Sequence, residues 1–541
     1  MKKQSLLKKH QILTLIVLLI ITPVIAQDIL WEKSYGGKYA EYLSDVVPTP
    51  DYGFILAGSS LSKKTGTKTD DNRGNLDYWI WKMDEKGDLD WQKTFGGSGS
   101  DMLQSIVLTN DGGFILAGIS TSEKDFDKKD SIRGLDDFWI IKLNAKGEEE
   151  WQKTIGGNGQ EKLQSIIKDK DGGYILAGSS ASDVSGEKTA KCFGNLDYWV
   201  LKLDKKGSII WQKTYGGIYV DELRSIQSTL DGGYVLGGYS NSPISGNKTE
   251  DNFGEGDYWV LKINKTGNIE WQKTIGGDKD DQLSVVHQSY DKGYIVGGNS
   301  NSGSSKSKSL SNQSGTDLWV LKLDEKGEIL WQETYNFGKV DVLTSLVEND
   351  DHSFLIGGFA QGEIVNKPIS KKKGIIKVDK MKSGTDDFIA LKISEKGEKL
   401  WDKIVGSDGE DILKKAIETR DGGYLLAGTS KGKVSKDKNS GIGSNDFWVV
   451  KLKDKQKPKE DKKPVEAIPN PATDYTNVIV GYDFTKGTAT VVDIAGHVLQ
   501  QFDIADRTVP IDLKGLPEGI YIVNIRTDVQ NSGVKVIKQR N

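Results

Sequence analysis

Seven acidic residues recur at one place in a long repeat: Glu41, Asp101, Glu161, Asp221, Asp281, Asp341 and Asp411. Each stands ten positions after a repeated residue, tryptophan in every unit, and two before a Leu. A ring of carboxylates at a channel mouth could bind a cation. Carboxylates at a strand start also accept backbone N–H groups. A feature present in every unit is architecture before it is chemistry, so a structural acidic ring is the expectation. A second oxygen-rich stretch, Asp70-Asp71-Asn72-Arg73-Gly74-Asn75-Leu76-Asp77, has the residue types of calcium sites. The EF-hand order is absent, and the stretch degrades to Ser311-Asn312-Gln313-Ser314-Gly315-Thr316 in the fifth unit. A turn is the preferred reading and calcium the alternative; no other metal or cofactor is expected.

Catalytic side chains are scarce. The chain has four His and one Cys. Cys192 lies in a polar stretch without a second Cys to pair with, which excludes an internal disulfide framework and a Cys-based metal site. His287 and His352 fall on or near the inner strands of successive units, with no recurring acid or nucleophile beside them. No phosphate-cradling loop, metalloprotease helix or serine elbow is present. No catalytic or cofactor-binding residue is therefore expected, and a non-enzyme is the reading. The unit that differs most is the sixth. It is ten residues longer and carries Lys367, Lys371, Lys372, Lys373, Lys377, Lys380 and Lys382. A basic loop on an acidic protein suits an anionic glycan or lipid head group; a solvated insertion is the alternative.

The elements that must hold these residues follow from a period. Trp31, Trp91, Trp151, Trp211, Trp271 and Trp331 are 60 residues apart, and Trp401 follows after 70. The unit beginning at Trp211 predicts strands over 223–229, 234–239, 258–263 and 268–275, with tight turns at Asp231-Gly232-Gly233 and at Asn264–Gly267. Gly is about 12% of the chain, against roughly 7% in general, and Gly supplies positive φ at such turns. Apolar side chains on both faces, as in Tyr198-Trp199-Val200-Leu201, demand neighbours on both sides of each sheet. Four-stranded sheets around an axis meet that demand, which predicts an all-β, seven-bladed β-propeller.

Seven strands begin with Asp and an aromatic, once Leu: Asp77, Asp137, Asp197, Asp257, Asp317, Asp387 and Asp446. The last lacks its hairpin partner, and Ile29–Tyr35 at the other end is a matching outer strand. A ring closed by the first strand over residues 27–452 explains that offset; an open solenoid does not. DGGYILAG, DYWVLKLDKKG and SIIWQKTYGG resemble the second, third and fourth blade strands of WD-repeat and quinoprotein propellers. That resemblance implies a blade plan and no ligand. Ile389 stands where the other units have Trp, so an irregularity is expected there. The connections between second and third strands (59–76, 119–136, 179–196, 239–256, 299–316, 359–386 and 429–445) are polar and must share one face.

The two ends differ from the repeat. Residues 1–26 read as a signal peptide: four lysines, an apolar run from Ile12 to Thr22, and Val24 and Ala26 before Gln27. The run is too short for a spanning helix, so no transmembrane span is expected. Without those four lysines, 69 basic residues face 77 acidic ones, a net charge of −8, which disfavours nucleic acid. Residues 453–464 are a charged linker. Residues 465–541 alternate as short strands, which predicts a small Ig-like β-sandwich.

Pro469-Asn470-Pro471-Ala472, Val492-Asp493-Ile494-Ala495-Gly496, Leu516-Pro517-Glu518-Gly519-Ile520-Tyr521-Ile522-Val523 and Lys535-Val536-Ile537-Lys538 resemble the type A C-terminal sorting domain of the type IX secretion system. The resemblance covers about 75 residues. It implies a Bacteroidota source, the type IX machinery as a partner, and export to the cell surface or medium. In that family the domain is usually cleaved, and the cargo is released or attached to lipopolysaccharide. The expectation is thus a monomeric, secreted, non-enzymatic propeller that binds a surface glycan or protein. A polysaccharide hydrolase or lyase with its site in the axial funnel is the alternative.

Overall fold

The structure, a computed structural model, describes residues 27–362, 385–455 and 462–539. Every regular element among them is a strand. One unit shows the plan. Asp221–Ser228, Tyr234–Ser240, Asp257–Ile263 and Ile269–Ile275 form an antiparallel sheet in sequence order. Hydrophobic content sets the layers. The second and third strands are almost wholly buried, and the fourth is half-exposed at the rim. Strand limits differ from the sequence reading by one or two residues.

Seven such sheets are present. The seventh joins Asp411–Glu418, Tyr424–Ser430 and Asp446–Lys453 to Asp28–Tyr35, which fills the outer place. Its register pairs Tyr35 with Phe447 and Ser34 with Trp448. Leu425, Phe447 and Val449 of this blade share one buried cluster with Leu43, Val46 and Trp79 of the first. The sheets therefore form a closed ring and not an open stack.

Adjacent blades are joined through their third strands. The aromatic after each leading Asp stacks on the Trp of the next blade. Tyr78–Trp139, Phe138–Trp199, Tyr198–Trp259, Tyr258–Trp319 and Phe388–Trp448 have ring centroids 4.9, 5.2, 4.9, 5.0 and 4.9 Å apart. Phe447–Trp79, at 4.7 Å, closes the circle by the same contact. These Trp are fully buried, and truncating one to Ala removes ~3–5 kcal/mol. The fifth joint has no ring: Leu318 and Ile389 pack there in one aliphatic cluster. The two departures from the repeat are thus two halves of a single contact.

Each indole N–H also needs an acceptor. Gln92, Gln152, Gln212, Gln272 and Gln332 supply one at 3.0–3.2 Å, from the fourth strand of the same blade. The same amides bind backbone of the long loops, as Gln92 Nε2 does to Thr67 O at 2.8 Å. In the seventh blade Glu32 of the N-terminal strand takes this role, 2.7 Å from Trp448 Nε1. Blade six, with Ile389, has Asp402 in place of the Gln.

The Gly-Gly pairs ending the fourth strands lie where blades meet. A Cβ on the first glycine would run into the Asp that opens the third strand: Gly96 into Asp77, Gly156 into Asp137, Gly216 into Asp197. A Cβ on the second would strike a Ser of the next blade, as Gly97 would Ser122. These glycines are required by close approach. The remaining strands form a sandwich. Val465–Ile468, Tyr475–Val480 and Thr508–Asp512 make one sheet. Gly487–Asp493, Val498–Ile504, Gly519–Thr527 and Asn531–Lys538 make the other. Val478, Val480, Val491, Val509, Ile511 and Val523 fill the space between them. The strand Val465–Ile468 was not foreseen in the sequence.

Two Gly→Ala variants test this account of the joints. Gly216→Ala is expected to destabilise by about 1–3 kcal/mol through overpacking. Gly303→Ala has no heavy atom within 4 Å to meet and is expected to stay within about 0.5 kcal/mol of the parent. Chemical denaturation of the two variants checks both.

Candidate functional site

The seven repeated acids, Glu41, Asp101, Glu161, Asp221, Asp281, Asp341 and Asp411, open the inner strands and are fully buried. Each accepts the backbone N–H four residues before it, from Gly37, Gly97, Gly157, Gly217, Gly277, Phe337 and Ser407, at 2.5–3.1 Å. Serine hydroxyls of the second strand or just after it add a bond, as Ser242 Oγ does to Asp221 at 2.9 Å. These carboxylates face the joints between blades.

A second carboxylate lies beside each, from the third strand of the preceding blade. Asp77 neighbours Asp101, Asp197 neighbours Asp221, and Asp257 neighbours Asp281. The six are fully buried, and the Oδ1 atom of each has no hydrogen-bond partner. Burial, reinforced by the adjacent carboxylate, holds Asp77, Asp197, Asp257 and Asp341 up at about 7. Asp137 and Asp387 are held at about 6. A buried lysine sits near these acids. Lys128 donates to Asp130 O at 2.7 Å and Thr154 Oγ1 at 2.8 Å, and burial brings it down to about 8.

Other sequence candidates fall as follows. Two carboxylates of 70–77 bind the backbone of the loop itself: Asp71 accepts Lys64 N at 2.8 Å and Asp77 Oδ2 accepts Arg73 N at 2.5 Å. Among the described residues no group of three or more His, Cys, Asp or Glu is arranged to hold a metal ion. The Cys192 thiol donates to Ser180 O at 2.8 Å, where Asn312 donates to Ser300 O in blade five. Burial pushes that thiol up to about 11, which makes it a poor nucleophile. His287 and His352 flank one acid unremarked in the sequence reading: Glu348 lies 3.8 Å from His287 Nε2 and 3.1 Å from His352 Nδ1. Burial and Lys322 hold His287 down at about 4. Lys367, Lys371, Lys372, Lys373, Lys377, Lys380 and Lys382 lie outside the described residues.

The face carrying the long loops shows a difference between blades that sequence reasoning missed. At the first joint Arg73 pairs with Asp127 at 2.9 Å, and at the second Arg133 pairs with Glu187 at 2.8 Å. The equivalent residues at the next two joints are Phe193 and Phe253. Phe193 lies over Gly246 and is still 44% exposed. Ile218 and Tyr219 are held beside it by backbone bonds to Ser245 Oγ and Ser242 Oγ, both 3.0 Å. With Ile244 they form an exposed apolar patch across blades three and four. A tabulation of residues 60 apart would have found it, because only here does Arg become Phe.

The opposite face, formed by the short turns, holds the C-terminal sandwich. Arg420 reaches Glu466 at 2.7 Å and stacks 4.2 Å over Tyr52, whose φ of 67° is at a place where four blades have Gly. Thr508 Oγ1 donates to Asp51 at 2.8 Å, Lys462 pairs with Glu85, and Tyr475 rests on Gly112. Among the seven equivalent turn residues, Arg420 is the lone Arg.

The raised carboxylates bind their protons more tightly folded than unfolded. The stability they confer is complete below about pH 4 and is lost as pH climbs through 6 to 7. His287 works oppositely below about pH 6.5 as a single group. The thermal midpoint is expected to fall between pH 5 and pH 8. Asp197→Asn should flatten that slope and raise the midpoint at pH 8; an unchanged slope would remove the joints as its source. The ion contacts to the sandwich are tested by scattering: Arg420→Glu should enlarge the radius of gyration, and adding Glu466→Arg should restore it.

Comparison with known proteins gives the following. Residues 466–539 match the secretion system C-terminal sorting domain family. Over 208 residues the chain is 22% identical to the regulatory protein FlaEY of Caulobacter vibrioides, a match spanning 36% of this chain and 22% of FlaEY. Sqt1 from Chaetomium thermophilum is similar at 11% identity and TM-score 0.39, over 84% of this chain and 96% of that one. The Pan2 WD40 domain of Neurospora crassa is similar at 12% identity and TM-score 0.30, over 64% and 88%. No helix among the described residues is long and apolar enough to cross a membrane. The chain is a β-propeller protein carrying a type IX secretion sorting domain at 466–539, which directs its export to the cell surface or beyond.

Proposed function

We propose that this protein is a non-enzymatic binding propeller that captures a surface glycan or protein on its loop face. One observation carries the reading: at the third and fourth joints the Arg–carboxylate pairs of the earlier joints give way to Phe193 and Phe253. Phe193 remains 44% exposed beside Tyr219, itself 50% exposed. A closed blade joint gains nothing from a wet aromatic, whereas such rings are common where a partner docks. The sorting domain meets the other face through Arg420, Tyr52 and Glu85, which leaves Phe193 and Tyr219 exposed among the described residues. The acidic ring, with its backbone and serine donors, is read as structural. Cys192 and the His287–Glu348–His352 group offer no activated nucleophile. The lysines of 367–382 remain a second contact candidate on the same reading.

Glycan-array and pull-down assays with the secreted chain test it. Phe193→Ala with Tyr219→Ala should lower capture about ten-fold or more without moving the thermal midpoint. Turnover on a polysaccharide panel, or capture unchanged in that variant, would overturn the reading.

A further inference from the structure

Every inner strand carries the same irregularity. Its pairing with the second strand slips by one residue after the repeated Leu, in all seven blades. The residues left unpaired are Ser44, Gln104, Gln164, Arg224, Ser284, Thr344 and Lys414. A bulge re-aims its extra side chain. The inner strand is the first of each sheet, so its free edge borders the axis. Seven bulges at one height therefore gather seven polar side chains around the channel.

Their chemistry is one-sided. None of the seven is acidic, and two carry positive charge. Arg224 holds Glu222 at 3.2 Å, and Lys162 shares that carboxylate at 3.7 Å. The next residue along from Lys414, Lys415, is paired with Asp45 at 3.3 Å. Lys414 has neither a hydrogen bond nor an ion pair among the described residues. Water reaches its side chain, yet protein surrounds it, as in a channel wall. Burial lowers its pKa, and the Arg224 charge lowers it further. Arg224 belongs to blade four and Lys414 to blade seven, nearly opposite in the ring, so the two charges meet across the axis. Counting Lys162 and Glu222, this level of the channel is doubly positive in a protein of net charge −4.

We infer that the bulge ring is a binding site for a single oxyanionic group, a carboxylate, sulfate or phosphate, seated on the axis between Arg224 and Lys414. Gln104 and Gln164 supply amide donors, and Ser44, Ser284 and Thr344 supply hydroxyls. An ammonium with no anionic partner, facing a like charge, is repelled until an anion enters between them. The site is distinct from the loop-face patch and stands or falls separately from it.

Calorimetric titration of the secreted chain with sodium sulfate, at ionic strength fixed by chloride, tests the site. One sulfate per chain is expected. Lys414→Met should weaken it by about ten-fold or more, and Lys414→Arg should retain it. Because Lys414→Met removes a repulsion, it should also raise the thermal midpoint in sulfate-free buffer, so loss of binding cannot be mistaken for loss of fold. Sodium glucuronate titrated in parallel separates the sources: tighter binding than sulfate indicates an acidic sugar, and equal or weaker binding a free inorganic anion. Absence of sulfate binding to the parent chain, or equal affinity in Lys414→Met, would overturn the inference.

Discussion

The stacking of one blade's third strand on the next holds the ring together. Each blade alone is a small four-stranded sheet with two apolar faces, and neither face is stable in water. Tyr78 on Trp139, repeated with small variations around to Phe447 on Trp79, covers both faces of every sheet at once. Much else serves that contact. In five blades the Gln of the fourth strand satisfies the buried indole and ties down a loop. The first glycine of each Gly-Gly lets the fourth strand close over the Asp that opens the third. The repeated lysine near the end of the third strand is buried, and the turn Asp compensates its charge, as Lys322 and Asp291 do at 2.7 Å.

The architecture was legible because this contact repeats. A Trp every 60 residues, a turn Asp-Gly-Gly and a two-faced apolar strand are enough to predict four-stranded blades and their number. Pairwise facts were not legible. Leu318 and Ile389 each look like a separate lapse; only the offset between neighbouring blades shows that they touch. Asp402 in place of Gln follows the same logic, since the Ile389 side chain has no N–H to satisfy. The ring acids and the Asp that opens each third strand were both visible as repeats, but their pairing was not, because Asp77 and Asp101 belong to different units. The Phe193 patch was hidden in stretches read as merely polar.

The two faces of the disc have diverged by different means. On the turn face, Tyr52 takes a left-handed backbone conformation to meet Arg420, and the sorting domain rests there. On the loop face, charged pairs between blades are replaced by aromatic rings at two consecutive joints. Between them runs an axis whose wall is built from bulges, a device that places side chains without altering the sheet order. Repetition makes the scaffold, and local departures from it make the surfaces.

The N-terminal strand adds a condition in time. Glu32 and Trp448 bond across 416 positions. Bringing such distant segments together in an unfolded chain carries roughly 5 kcal/mol of loop entropy. Blades formed one after another shorten that search, but the last sheet stays three-stranded until the first strand returns to it. Until then Asp28–Tyr35 has no partner, and the edge of Asp446–Lys453 is open to strand addition. Closure waits on synthesis of nearly the whole propeller, so an incomplete chain is held in an unfinished state. Slow ring closure of this kind favours translocation before final folding.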